Sequence, residues 1–192
     1  MNTPSALLEA YLEAKDLNSP SIILECFTPE AVLTYSIATN TISFPSKVIG
    51  SNAIAQTLVR DLREKFEQCK TYYLCASIDD LVNEIDYLPW LVVMREISSG
   101  VLRLGKGYYK WRFEREKNQL RVCAMHIHIE RMDVIDDPDQ TFLNMLQAVL
   151  PYPWLPPEVL RARIEHLIEV APNFSFLESL KRPSTRSLSR GL

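Results

Sequence analysis

Between residues 88 and 134 three apolar runs rich in β-branched and aromatic side chains, 88–97, 101–113 and 120–134, follow one another with only Ser98-Ser99-Gly100 and residues 114–119 between them. Breaks that short cannot hold a crossover helix, so the runs predict a three-stranded antiparallel meander. In the second run Tyr109, Trp111 and Phe113 alternate with Tyr108, Lys110 and Arg112; in the third, Cys123, Met125, Ile127 and Ile129 alternate with Ala124, His126, His128 and Glu130. Successive strand side chains point to opposite faces, so one face of this sheet is apolar and aromatic and the other is mixed. The apolar face needs helices against it, and the mixed face needs a second cover or water.

The segments before the meander supply those helices. Thr3-Pro4 is a cap-and-proline start, and Leu7, Leu8, Tyr11 and Leu12 form one apolar stripe behind it. Ser19-Pro20 starts a short second helix carrying Ile22, Ile23, Cys26 and Phe27, with a stop expected near Thr28-Pro29. Residues 31–37 read as a strand and 39–47 as a polar loop or short edge strand. After Gly50-Ser51 a third helix is predicted from Asn52 to about Cys69, its Ile54, Leu58, Leu62 and Phe66 recurring every fourth residue. A strand over 71–77 and an acidic loop over 78–87 lead into the meander. Beyond it, Asp137-Pro138 opens a helix bearing Phe142, Leu143, Leu146, Val149 and Leu150, and a proline cluster separates this from a second amphipathic helix over 158–170. The division expected is therefore a body over 1–135, a helical extension over 136–180 and a flexible Arg/Ser-rich tail over 181–192.

Length and charge narrow the picture further. One domain with an appendage suits 192 residues, and a formal net charge of −3 gives no electrostatic ground for nucleic acid or an anionic membrane as partner. No apolar run approaches the roughly 20 residues that span a bilayer. Cys26, Cys69, Cys75 and Cys123 lack C-x-x-C spacing and the N-terminus lacks a signal-peptide pattern, so a cytoplasmic protein with free thiols is expected.

The order helix, short helix, strand, long helix after a glycine, then strands ending in a long meander resembles the NTF2-like superfamily, in particular its SnoaL-like and ketosteroid-isomerase-like members. The resemblance rests on residues 6–15, on 24–34 with Cys-Phe-Thr-Pro-Glu-Ala-Val, on 49–55 with Ile-Gly-Ser-Asn-Ala-Ile, and on 107–113 followed by 121–129. It implies an α+β cone with a cystatin-like fold: a curved, mixed or antiparallel sheet wrapped around the N-terminal helices, here with a C-terminal helical extension. It also implies a ligand pocket inside the cone and a homodimer through the outer sheet face. Motif by motif, Tyr11 falls where the isomerases carry the tyrosine that donates to the substrate oxyanion, Tyr35 at the general-base aspartate and Tyr109 at the second oxyanion acid. The proton-shuttling aspartate is thus absent, and three neutral tyrosine donors stand in the corresponding places.

These residues give the candidate site. Tyr11, Tyr35 and Tyr109 are the catalytic candidates, and Trp111, Phe113, Met125, Cys123, Ile127, Arg95, Phe66 and Leu62 the candidate pocket lining; the plain alternative is that inward aromatics are core. Arg95 shares a face with Leu91, Val93 and Ile97, as a buried ion-pair partner or a strand-end residue reaching water. His126 and His128 share a strand face about 7 Å apart with Glu130 next, but two imidazoles and a carboxylate on one strand fall short of the four converging donors of a structural metal site, and no metal or cofactor is expected. Two function classes follow. One is a cofactor-independent lyase, isomerase or cyclase of the SnoaL-like kind acting on a hydrophobic small molecule; the other is a non-catalytic binding or interaction protein on the same scaffold, with helices 142–170 either filling the cone or covering the sheet.

Overall fold

A computed structural model describes residues 2–181 of the chain. Helix α1 (Pro4–Asp16) begins where Thr3 Oγ1 accepts a hydrogen bond from the Ala6 amide at 3.3 Å, and its stripe of Leu7, Leu8, Tyr11 and Leu12 is fully buried. Helix α2 (Pro20–Cys26) stops before Thr28-Pro29, because Phe27 is already extended and opens strand β1 (Phe27–Ile37). The register of β1 shifts between Phe27 and Val32, so Pro29 lies where the ladder is interrupted and its missing N–H leaves no partner stranded. After the edge strand β2 (Lys47–Ile49), Gly50 turns the chain at φ +92°, a conformation that suits glycine, and its amide donates to the Ala31 carbonyl at 2.8 Å.

Helix α3 (Ser51–Ala55), a π-helical turn (Gln56–Arg60) and helix α4 (Asp61–Lys65) follow head to tail. The helix ends at Lys65 and not near Cys69: Phe66 is extended, pairs with Glu96 and starts strand β3 (Phe66–Tyr73), while the Lys65 carbonyl accepts from the Ile97 amide at 2.9 Å. Phe66 continues the i, i+4 row of Leu58 and Leu62, so helical spacing runs on past the point where pairing with the sheet takes over.

Strands β4 (Glu84–Glu96), β5 (Leu102–Glu116) and β6 (Gln119–Ile135) are the meander. The end of the expected acidic loop is strand, since Glu84 and Ile85 pair with Arg112 and Trp111. The six strands lie in the order β2-β1-β6-β5-β4-β3, antiparallel except for a parallel β1–β6 pairing, and this open mixed sheet curls around the N-terminal helices. Its bend coincides with register shifts in the β5–β6 ladder. At Gly107 a side chain would bring Cβ within 1.9 Å of the His128 carbonyl oxygen, so only glycine lets the two backbones approach.

Two cores result. The inner one joins α1 and the α3–α4 rod to the concave sheet face; the outer one joins Tyr72, Leu74, Leu91, Val93, Leu102 and Leu104 to the C-terminal extension. That extension consists of α5 (Thr141–Val149), α6 (Pro157–Val170) and a 3-10 segment (Pro172–Leu180). Asp137 is buried where its carboxylate accepts from the Phe142 and Leu143 amides at 3.1 and 2.9 Å, serving the first turn of α5. The proline-rich link is bound to β3, the Tyr73 amide donating to Pro153 and the Leu155 amide to Tyr73, both at 2.8 Å. The extension therefore covers the outer face of β3, β4 and the start of β5 and lines no part of the cavity inside the cone; among the described residues nothing covers the outer face around Tyr108, Lys110, Ala124, His126 and His128. Of the expected tail, Lys181 alone is among the described residues. No helix among them is long and apolar enough to cross a membrane.

Candidate functional site in the cone

The fold directs three tyrosines from three elements toward one interior space. Tyr11 comes from α1, Tyr35 from β1 and Tyr109 from β5, and all three line a cavity of about 60 Å³ closed by Leu58 and Leu62 of the helical rod and by Trp90, Val92 and Met94 of β4. Ile127, Ile129 and Met132 form its floor. Tyr109 is enclosed by rings, with Trp90 stacked on it at 5.5 Å and Tyr11 edge-on at 5.9 Å. The Tyr11 and Tyr109 hydroxyls hydrogen-bond to each other. Burial, with a smaller push from neighbouring phenols, raises the pKa of Tyr11 and of Tyr35, and burial likewise raises that of Tyr109. All three stay neutral at physiological pH and act as hydrogen-bond donors, not bases.

Two donors in this wall are unsatisfied. The Tyr35 hydroxyl and the Trp90 indole N–H are buried with no hydrogen-bond partner among the described residues. Buried polar groups are almost always paired; the Trp111 indole N–H and the Tyr72 hydroxyl, which do not line this cavity, are likewise buried without a partner among the described residues.

One turn after Tyr11 on the same stripe, Lys15 also reaches the cavity. Its ammonium donates to Thr71 Oγ1 and to Cys69 Sγ at 3.8 Å, and forms an ion pair with Asp16 Oδ1 at 3.2 Å. Burial alone would lower the Lys15 pKa, but the adjoining Asp16 carboxylate, with help from Cys69 and Tyr11, more than offsets this and raises it. Lys15 is therefore a fixed positive charge. Asp16 turns the other way: its Oδ2 accepts from the Thr71 amide at 3.0 Å and from the Tyr152 hydroxyl at 3.1 Å, and it lines an outer groove of about 770 Å³ between α1, β3 and the C-terminal extension. The ion pair is thus a wall between cavity and groove. Burial pushes the Cys69 thiol up to about 12, which keeps it protonated.

Of the residues expected in the pocket, the structure brings together Tyr11, Tyr35, Tyr109, Leu62 and Ile127. Trp111, Phe113 and Met125 lie in the closed narrow end, where Trp111 packs edge-on against Tyr11 at 5.1 Å and stacks on Phe113 at 6.3 Å; they are core. Cys123 faces away from the cone. Arg112 pairs with Ala124 and Phe113 with Val122, so Cys123 is the extra residue of a bulge, and its thiol contacts the Arg112 carbonyl at 3.5 Å. Arg95 is on the outer face, paired with Glu67 at 2.5 Å. Phe66 lies outside the cavity, on a neighbouring surface pocket. Lys15, Asp16, Thr71 and Trp90 are the residues that sequence reasoning passed over, although Lys15 continues the Leu7, Leu8, Tyr11, Leu12 stripe.

On the opposite sheet face Ser36 Oγ bridges His126 Nε2 at 2.9 Å and His128 Nδ1 at 2.7 Å, and Thr34 Oγ1 meets His126 Nδ1 at 2.8 Å. Both His126 nitrogens are thereby engaged, and Glu130 pairs with Lys106 at 3.2 Å. Among the described residues no three His, Cys, Asp or Glu side chains are grouped to hold a metal ion.

No protein-family model matches the chain, and no curated protein sequence is similar enough to align with it. Solved structures are similar in fold. LinA, a hexachlorocyclohexane dehydrochlorinase, superposes with a TM-score of 0.56 at 12% identity, covering 67% of this chain and 84% of its own. An NTF2-like superfamily protein from Salmonella enterica serovar Typhimurium LT2 gives a TM-score of 0.52 at 13% identity, covering 69% and 89%. A ketosteroid isomerase-like protein from Erwinia carotovora atroseptica gives 0.50 at 11%, covering 66% and 92%. At such identities the likeness speaks for the fold alone.

Proposed function

On the NTF2-like fold that the chain adopts, we propose that the protein binds a hydrophobic small molecule carrying one hydrogen-bond-accepting group inside the cone. The observation that carries this reading is the pair of buried donors without partners among the described residues, Tyr35 OH and Trp90 Nε1, on a cavity whose wall is mostly apolar and aromatic. A bound carbonyl, ether or halide would satisfy donors that no described residue pairs. Residues 1–135 form the binding body in this reading, and residues 136–180 an extension that braces it from outside. The uncovered part of the outer face, around Tyr108, Ala124, His126 and His128, is the surface through which two copies would pair as a homodimer. Four free thiols suit a cytoplasmic location.

A second reading, a cofactor-independent lyase, isomerase or cyclase, is favoured by the Lys15–Asp16 pair. Lys15 sets a positive charge beside the tyrosine donors, where it would stabilise negative charge developing on a substrate atom. Among the described residues no ionised base faces the cavity, since Asp16 is turned to the groove and the phenols and the Cys69 thiol are neutral; the binding reading is therefore placed first. LinA and the ketosteroid isomerase-like protein share the fold and name reactions of the kind this second reading would need. Titration of the protein with cyclohexanone and with methylcyclohexane, followed by chemical shifts of the cone residues, tests the first reading. Shifts of Tyr35 and Trp90 with the ketone and not with the hydrocarbon are expected; indifference to both would overturn it.

A further inference from the structure

A cavity of about 60 Å³ is far smaller than the roughly 300–1,000 Å³ of ordinary ligand sites, so a molecule of any size must displace something. The residue placed to move is Phe44. Its ring lies flat on that of Tyr35, centroids 4.8 Å apart and planes within 1°. Phe44 and Ile42 line the inner cavity on one side and a surface pocket of about 230 Å³ on the other, and Leu62 borders both. The two spaces are therefore separated by the thickness of these side chains. The segment is held at its ends, where Thr41 Oγ1 donates to the Met132 carbonyl at 2.7 Å and the Tyr35 amide donates to Ser46 at 3.0 Å. Between those anchors, residues 42–45 make no hydrogen bond to the sheet or helices among the described residues.

Resting on the reading above, we propose that the Tyr35 face now covered by Phe44 is a ring-binding subsite. A flat, uncharged ring bearing one acceptor oxygen displaces Phe44, takes its place on Tyr35, and joins the cavity to the pocket outside. Phe44 is thus an internal occupant of the site. The chemistry of the occupant follows from what surrounds it: a phenyl ring already fits the stacking position, the walls are apolar and aromatic, and the Tyr35 hydroxyl wants an acceptor. An occupied subsite weakens the apparent affinity of any competitor by the fraction of time it is closed.

Acetophenone and ethylbenzene, alike in shape and differing in the acceptor, are the probes, with affinities read by calorimetry or chemical shift. Phe44→Ala should bind acetophenone about tenfold more tightly than the unaltered protein, and Phe44→Trp more weakly. Tyr35→Phe should lose the preference for acetophenone over ethylbenzene. In the unaltered protein the Phe44 ring resonances should shift on binding, a readout that needs no variant to fold. Equal or weaker binding by a folded Phe44→Ala, or unmoved Phe44 resonances, overturns the subsite. If cyclohexanone still binds in the cone, that result leaves the binding reading intact; if neither ketone binds, both fall.

Discussion

The Lys15 ammonium and the Asp16 carboxylate meet at 3.2 Å with 6% and 4% of their side chains exposed, joining two consecutive residues that face different spaces. Removing one partner strands the other's charge in a place water does not reach. Lys15→Met or Asp16→Asn should cost about 3–5 kcal/mol in urea unfolding, whereas the double change to apolar residues should cost much less than the sum. Additive losses would show that the two charges do not act on each other.

The thiols rank by placement. Burial pushes Cys26 and Cys69 up to about 12 and Cys75 up to about 11, while Cys123 sits in the outward bulge, its pKa raised mainly by partial burial. Iodoacetamide at mildly alkaline pH should label Cys123 first and leave Cys26 and Cys69 unmodified until the protein unfolds. Labelling followed by peptide mass mapping reads the order. Protection of Cys123 would return it to the cone wall and remove the bulge.

How far the chain could be read from its residues is clearest at such points. The meander, the capped first helix and the inward tyrosines follow from period and capping, because alternation and the i, i+4 stripe report burial directly. Cys123 misleads because one inserted residue reverses the alternation on one side of it, so that Val122 and Met125 both point inward. Phe66 misleads because it fits the helical row and the strand equally well. Lys15 and Asp16 look like the wet end of a helix, and only the return of β3 and Tyr152 over them makes them interior. By its alternation alone Arg95 suits a buried ion-pair partner and a strand-end residue reaching water equally well, and the structure gives it the partly exposed Glu67 as partner.

The C-terminal extension should be integral to stability. Ile164 is fully buried in the outer core, and Ile164→Ala should cost about 2–5 kcal/mol by thermal or urea unfolding. A loss within ~0.5 kcal/mol would mean that α6 is not packed on the sheet in solution.

The histidine pair gives a pH dependence with a definite sign. Burial, with Lys110 and His128 adding to it, lowers the His126 pKa, and burial also lowers that of His128 against an opposing pull from Glu130. The folded chain then holds fewer protons than the unfolded one just below the ordinary histidine value of about 6.5. The contribution is complete above that value and is lost as pH falls through it toward the lowered folded values. Urea midpoints should fall between about pH 7.5 and pH 5.5, and less steeply in the His126→Gln, His128→Gln double variant. Identical slopes would show that burial does not disfavour the charged imidazoles.

The claim on which the functional reading turns is that the Tyr35 hydroxyl is kept for a ligand and not for the fold, and the unfolding free energy of Tyr35→Phe tests it most directly. The hydroxyl is buried without a partner among the described residues, so its removal should leave stability unchanged within about 0.5 kcal/mol or raise it. Tyr109→Phe, which breaks the hydrogen bond to Tyr11, serves as the reference and should be destabilising. A loss of about 1–3 kcal/mol in Tyr35→Phe would mean that the hydroxyl serves a buried partner, that the cone is packed core at this point, and that the binding site is not there.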